Sequence, residues 1–282
     1  MSEHPSYWRV FATFARNSLV RDMTFKSNFI IESISSLSWM LMNLGFYLLI
    51  FRFTTEIGHA TGWGQYQFFV FLATTLFINS LVQTFFMPNC EEISEQIRTG
   101  RLDFALVKPI DTQFLVSLQK VDWSSLINFV FGLVLLLYSL WRLMSDPENP
   151  LEIGLLQVVL YPIYVACGVA MLYSLMIALS ATSIWLGRNQ SLYDFWFYIT
   201  NFSRYPMEIY AGNTTGKVLR NAFTFVVPVL VVVNVPARLL AWPLSEQAWW
   251  LAAFGLGATA LSLALSRWVF VRALDSYRSA SS

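Results

Sequence analysis

Long apolar runs alternate with short polar stretches along this chain, and the pattern predicts a bundle of membrane-spanning helices. Each run approaches or exceeds the roughly 20 residues that a helix needs to cross a bilayer. One further crossing is expected between residues 187 and 242. The sequence therefore predicts an all-α integral membrane protein with about six transmembrane helices within residues 27–272. The five clear runs cover about residues 27–51, 66–87, 115–141, 153–186 and 248–271.

Two segments compete for the fifth crossing. One is the aromatic stretch 192–202, and the other is the apolar run 222–235, which prolines interrupt. If the first segment crosses, the proline-broken run enters and leaves the membrane from the outer side. If the second crosses, the aromatic stretch lies along the cytoplasmic interface, which the cations within 204–220 favour.

Residues 1–26 predict an amphipathic helix that lies in the membrane interface. Tyr7, Trp8 and Phe11 fall on one side of this helix, and Arg9 and Arg16 fall on the other. Aromatic residues opposite arginine are typical of interfacial helices. The alternative is a polar N-terminal arm with no membrane contact.

Charge is scarce and unevenly distributed: only 12% of the residues are charged, and residues 91–103 form the densest group. We call residues 91–103 the charged island. A charged segment that joins two membrane spans cannot lie in hydrocarbon, so it faces water. A soluble partner can contact it there.

Lysine and arginine in the short loops set the expected orientation. They concentrate in the N-terminal arm, in the charged island and at the C-terminal end (Arg267, Arg272 and, in the tail 273–282, Arg278), whereas the two opposite loops contain only Arg52 and Arg142. Both termini and the charged island are therefore expected on the cytoplasmic side.

The composition argues against several classes of function. With 56% hydrophobic residues and a net charge of +1, the chain is more apolar than soluble domains, at roughly 45–50%, and offers no general attraction to nucleic acid. Residues 212–218 resemble a phosphate loop but lack one residue between the glycines, and they have Val218 where Ser or Thr should bind magnesium. The isolated histidines and cysteines predict no metal site. We expect no catalytic residue and no cofactor in this chain.

Polar residues within the spans have two alternative interpretations. They form hydrogen bonds between helices, or they line a substrate path. The acids Glu32, Asp122 and Asp194 lie near span ends, so the charged midplane relay of an ion-coupled carrier is not evident. Energy is then expected from outside the chain. The span residues in question are Asn43, Asn79, Gln83 and Asn128.

Several motifs in order resemble the ABC-2 type transporter permeases, in particular bacterial ABC-type transport system permease components. The likeness covers almost the whole chain, and the Gly-Arg-Leu-Asp and Arg-Tyr-Pro elements are fairly specific together. The motifs lie at 25–29, 97–109, 204–210, 225–228 and 235–237. The late signature includes Arg204, Tyr205, Pro206, Pro228 and Pro236.

The resemblance implies one membrane half of an exporter in the bacterial inner membrane. It implies an N-terminal elbow helix, a cytoplasmic coupling helix at about 89–106 and a re-entrant pair at about 213–241. Two permeases, identical or related, would join two separate ATPase subunits that hold ATP and magnesium. The cargo would be lipid-like, a peptide or another amphipathic molecule. An ion-coupled carrier and a non-transporting membrane scaffold are the alternatives.

In the coupling role, Arg98 and Arg101 would pair with acidic groups on the ATPase, and Gly100 would end the helix sharply. Lys108 and Pro109 would direct the chain back to the membrane. The alternative is a solvated loop without a partner. The predicted coupling residues are Glu91, Glu92, Glu95, Arg98, Gly100, Arg101, Asp103, Lys108 and Pro109.

Overall fold

The computed structural model describes residues 6–58, 61–186, 194, 197, 198 and 200–277. Five of the eleven residues of the predicted aromatic stretch 192–202 lie outside them, as do residues 1–5 and 278–282. Short 3₁₀ turns occur at Phe202–Arg204, Met207–Ala211 and Leu244–Glu246, and a π-helical turn at Ala222–Val226. The α-helices within the described residues are α1 (Tyr7–Thr24), α2 (Lys26–Ile50), α3 (Gln65–Phe85), α4 (Met87–Arg98), α5 (Arg101–Leu106), α6 (Thr112–Leu118), α7 (Leu126–Met144), α8 (Leu155–Ala181), α9 (Ser183–Leu186), α10 (Thr214–Asn221), α11 (Val229–Ala241) and α12 (Trp249–Asp275).

Helices long and apolar enough to cross a bilayer confirm the predicted class. A bent pair, Thr214–Val226 and Val229–Ala241, makes a sixth crossing only if it counts as one span. The chain is therefore an all-α protein with five or six candidate spans in its described part. The five straight candidates are Lys26–Ile50, Gln65–Arg98, Leu126–Met144, Leu155–Leu186 and Trp249–Asp275.

The third span begins later than the predicted residue 115. Between α6 and α7, Asp122 accepts hydrogen bonds from Ser124 and Ser125, with Oδ–Oγ distances of 2.6 and 2.7 Å. The Asn89 amide bonds both the backbone N–H and the carbonyl of Lys120, each at 2.8 Å. These polar contacts compete with helical backbone bonds and divide the predicted run in two.

The bundle has two ends. We call the end that carries residues 87–125 the island end, and the end that carries the loops 51–64 and 145–154 the loop end. Since Arg267 of α12 contacts Asp111, α12 runs to the island end, as α8 does. Residues between α8 and α12 must therefore return once to the loop end.

Helix α11 is the most enclosed element. Twelve of its thirteen residues are buried, and it packs against α3, α8 and α12. A Cβ atom at Gly168 of α8 would lie 2.9 Å from the carbonyl oxygen of Val232. A glycine here lets the two backbones approach closely.

The bent pair starts and ends at the loop end. Its two arms meet at 88° near Pro228. Before the first arm, Glu208 contacts Trp63 of the first loop, and near the end of the second arm Arg238 contacts the same Glu208. This geometry favours the predicted arrangement in which the proline-broken run enters and leaves from one side. Residues 214–221 form a helix capped by Asn213.

Helix α1 packs one face on the island end. The rings of Tyr7 and Phe114 meet edge-on at 4.9 Å, and the Ala15 carbonyl accepts a hydrogen bond from the Trp123 indole at 3.2 Å. Trp8 remains 73% exposed. Residues Tyr7–Thr24 thus form a helix, and part of its aromatic face lies against the protein.

Candidate functional site

The charged island forms two helices at the end of α3. Ile93, Gln96 and Leu102 are buried and anchor them to the bundle. Gly100 has φ of 70°, a left-handed conformation that glycine adopts easily. The predicted single helix at 89–106 is therefore α4 and α5 joined at Gly100.

Several predicted coupling residues have partners within the chain. Arg98 makes two hydrogen bonds to Glu95, at 2.6 and 2.9 Å, and Glu92 forms an ion pair with Lys120. The Arg98 pair lies on the exposed surface, where such pairs are weak. Arg98 can therefore exchange partners, whereas the part-buried Glu92 helps to hold α4 on the bundle.

An exposed apolar pair completes this surface. Phe104 and Val107 are 70% and 80% exposed, and Arg101, Lys108 and Pro109 beside them are also exposed. We call the surface of Arg98, Arg101, Phe104, Val107 and Lys108 the island surface. An aromatic anchor with arginine at its rim is typical of protein interfaces.

A polar network joins the chain after α5 to two spans. Arg267 of α12 donates to both carboxylate oxygens of Asp111, at 2.6 and 3.2 Å, and to Gln113 at 2.9 Å. Gln113 donates to the Tyr173 hydroxyl of α8 at 2.9 Å. Paired hydrogen bonds between arginine and a carboxylate hold a fixed geometry. This network therefore connects the segment after α5 directly to α8 and α12.

Asp111 remains charged at neutral pH. Burial alone would raise its pKa, but hydrogen bonds from Arg267 and the Phe114 N–H outweigh burial and hold the pKa below its ordinary value. The carboxylate also caps α6 by accepting from the Phe114 N–H at 2.9 Å. Because folding lowers the pKa of Asp111, the pair stabilises the fold at pH values above the ordinary carboxyl pKa. This stabilisation is lost as the pH falls through the lowered pKa.

A polar cavity of about 280 Å³ lies between α2, α3 and α7. Ser36 of α2 donates a hydrogen bond to Asn128 of α7 at 2.8 Å, and Asn43 donates to a carbonyl of its own helix at 2.8 Å. The structure brings all four predicted span residues to its wall: Asn43, Asn79, Gln83 and Asn128.

Asn79 and Gln83 differ from the other two amides. They lie four residues apart on one face of α3, and within the described part of the chain their side chains make no hydrogen bond. Polar groups in a membrane bundle normally find a partner. These two amides are therefore available to a molecule in the cavity.

A second polar cavity, of about 510 Å³, lies nearer the island end. Asn28 and Glu32 of α2 line it, and Ser36 and Asn43 of the same helix line the first cavity. Residues spaced by three or four fall on one helix face. One polar face of α2 thus runs past both cavities, with the Ser36–Asn128 contact on it.

The family model described as ABC-2 family transporter protein matches residues 37–281. The match covers most of the chain. The chain belongs to this family. It is a multi-pass membrane permease of the ABC transporter type. Comparison with curated proteins and with solved structures finds no match.

In this ABC-2 permease, two residues of the late signature line the polar cavity. Arg204 and Tyr205 close it beside Tyr47 of α2. Pro206 is buried in the turn that follows, where the Met207 N–H donates to Asn234 of α11 at 2.9 Å.

The other two signature residues belong to the bent pair. Pro228 lies at the 88° bend and precedes α11. Pro236 lies inside α11 and is buried. The late signature thus contributes both to the cavity wall and to the buried helix behind it.

A cluster at the loop end fixes α11 to the first loop. The Glu208 carboxylate accepts from the Trp63 indole at 2.8 Å and pairs with Arg238. The Arg238 guanidinium lies 5.2 Å from the ring of Trp242, which meets Trp63 edge-on at 4.2 Å. Trp63 is fully buried. This cluster holds three segments of the permease together.

Sequence reasoning missed Phe104, Arg267 and Asn234. Phe104 carried a usable signal: it lies two residues after the buried Leu102, about 200° around a helix, so it points outward. Arg267 and Asn234 act through partners more than 25 residues distant in sequence. No local pattern reveals such pairs.

Proposed function

We propose that the chain is the membrane subunit of an ATP-driven exporter, powered by a separate ABC ATPase that binds the island surface. The observation that best supports this docking is that the apolar side chains of Phe104 and Val107 are exposed beside Arg98 and Arg101. Exposed apolar side chains in a cationic rim fit an acidic groove with an apolar floor. ATP and magnesium belong to the ATPase.

Energy transfer follows from the contacts behind this surface. Closure of the ATPase subunits displaces α4 and α5, and the Asp111–Arg267–Gln113 network carries the displacement into α8 and α12. The cargo passes the polar face of α2. The amides of Asn79 and Gln83, which lie on α3 in the same cavity wall, bind the polar part of the cargo. The arrangement consists of two permeases and two ATPases in the bacterial inner membrane, with both termini in the cytoplasm.

The distribution of charge supports an external energy source. Within the described residues, no Asp, Glu, Lys or Arg is among the buried side chains. An ion-coupled carrier requires a titratable group within the membrane. Because the described residues include no buried charged side chain, the charge distribution favours an ATPase-driven permease over an ion-coupled carrier.

The test is copurification with the products of the neighbouring genes, among which we expect an ABC ATPase. The double variant Arg98→Glu/Arg101→Glu and the single variant Phe104→Ser should each reduce bound ATPase about tenfold or more, as expected for interface anchors. Arg52→Glu, a charge reversal in the loop at the other end, is the control. Undiminished ATPase binding by both island variants would overturn the proposed docking role.

A further inference from the structure

Arg204 is a cation without a counter-ion in the described part of the chain. It lines the polar cavity, and no hydrogen bond or ion pair of its side chain joins it to a described residue. The described lining of this cavity contains no Asp or Glu. A cation among membrane-spanning helices commonly has a paired anion or lies on a substrate path. Within the described residues, Arg204 therefore gives the cavity a positive charge that no acidic side chain of the lining compensates.

The remaining polar wall offers hydrogen bonds to the same ligand. The amides of Asn79 and Gln83 are unpaired within the described residues, and Tyr205, whose side chain hydrogen-bonds that of Tyr47, lines the same cavity. Amide N–H₂ and phenol O–H groups donate to anionic oxygens. Charged hydrogen bonds of this kind are the stronger class.

The size and position of the cavity restrict the ligand further. A volume of about 280 Å³ is at the lower limit for a drug-sized ligand, so it holds a headgroup and not an alkyl chain. Helix α2, on one side of the cavity, has only two buried residues, and Trp39 in the lining is 61% exposed. An alkyl chain can leave the cavity past α2 into the bilayer.

We propose that this cavity binds the anionic headgroup, phosphate or a similar oxyanion ester, of an amphipathic molecule, with Arg204 as its counter-ion. The inference rests on the proposed function, since it names the class of molecule that passes the polar face of α2. The charge selects the headgroup, and the amides of Asn79 and Gln83 orient it.

The test measures binding to the purified permease in nanodiscs of phosphatidylcholine, without any ATPase. Three bromoalkyl amphiphiles with the same alkyl chain carry phosphate, maltoside or trimethylammonium headgroups, and bromine quenches tryptophan fluorescence on contact. The phosphate should bind about tenfold more tightly than the other two, as one charged hydrogen bond predicts. Trp39→Phe should remove most of the quenching, which locates the probe.

Substitutions separate charge from folding. Arg204→Gln should weaken phosphate binding about tenfold and abolish the headgroup preference, whereas Arg204→Lys should keep the preference. Arg204 is exposed, so neither change disturbs the core. Arg52→Gln is the matched control and should change nothing. Phosphatidylglycerol added to the nanodisc identifies the source of the headgroup. If it competes with the phosphate probe, the ligand is a bilayer lipid; if it does not compete, the ligand is a single-chain molecule. Both results support the site.

Two results would overturn the inference. Equal affinity for the three headgroups would mean that Arg204 selects nothing. Unchanged phosphate binding by Arg204→Gln, together with dissociation of a dimer, would assign its counter-ion to a second copy of the chain. Because the assay contains no ATPase, these results leave the proposed ATPase docking untouched, and loss of that docking leaves this site untouched.

Discussion

Glu208 holds the loop end of the permease together. One carboxylate oxygen of Glu208 accepts a hydrogen bond from the Trp63 indole, and the other pairs with the Arg238 guanidinium. The side chains of Glu208 and Arg238 are only 23% and 25% exposed. An ion pair of this kind contributes little when compared with apolar replacements, but removal of one partner leaves a partly buried charge alone.

Glu208→Gln should therefore destabilise the fold by about 1–3 kcal/mol, because Arg238 loses its counter-ion while the Trp63 contact can persist. The measurement is thermal unfolding in detergent, followed by tryptophan fluorescence. Glu246→Gln, an exposed acid at the same end, should leave the unfolding temperature unchanged. Equal temperatures for the Glu208 variant and the original protein would show that the cluster does not stabilise the fold.

Single residues also show what sequence reasoning can reach. The left-handed Gly100 and the outward position of Arg98 and Arg101 follow from local rules of helix geometry. The pairing of Arg98 with Glu95 has the i,i+3 spacing that allows it. The partners of Glu92 and Arg267 are distant in sequence, and only folding brings Lys120 and Asp111 to them.

At the scale of elements, the Asp111–Arg267 pair joins the segment after α5 to the last span. Asp111 has a second role as N-cap of α6. Asn is as good an N-cap as Asp, so Asp111→Asn removes the charge and keeps the cap. This substitution separates the two roles.

Asp111→Asn and Arg267→Gln should each lower cargo-stimulated ATPase activity several-fold while the ATPase remains bound, since docking is intact and only transmission is lost. The reversed pair Asp111→Arg/Arg267→Asp should recover part of the stimulation. Arg272→Gln, an exposed cation at the end of α12, is the control. Normal stimulation in both single variants would exclude this route of coupling.

Element boundaries were predicted well where composition changes abruptly, as at the ends of α2, α3 and α12. The start of the third span was predicted too early. Hydropathy reads residues 115–125 as one run with α7, whereas Asn89 and Asp122 bind the local backbone and side chains and break it. Such competition depends on a distant residue and leaves no trace in a hydropathy window.

At the scale of the whole molecule, both ends of the bent pair lie at the loop end. The predicted orientation then places the turn before α10 and the turn before α12 on the outer surface, with the first loops. The charged island lies on the opposite surface. These positions predict from which side of the membrane each residue is accessible.

Cysteine labelling checks these positions in a variant with Cys90→Ala and Cys167→Ala. A membrane-impermeant maleimide should label Gly212→Cys and Ser245→Cys in intact cells, and Thr99→Cys only after lysis. The Cys-free variant gives the background. Labelling of the residue 212 variant only after lysis would place the fifth crossing in the proline-broken run, as the competing arrangement requires.

The sequence by itself determined the membrane class, the clear spans, the charged island and the family, because each is written in local composition or in contiguous motifs. It also singled out the four polar span residues. Only the tertiary structure decided that these four line one cavity with Arg204, that Asn79 and Gln83 remain unpaired there among the described residues, and that Asp111 meets Arg267. The physical reason is that periodicity determines which face of a helix a residue occupies, whereas the neighbour of that face depends on how distant helices pack.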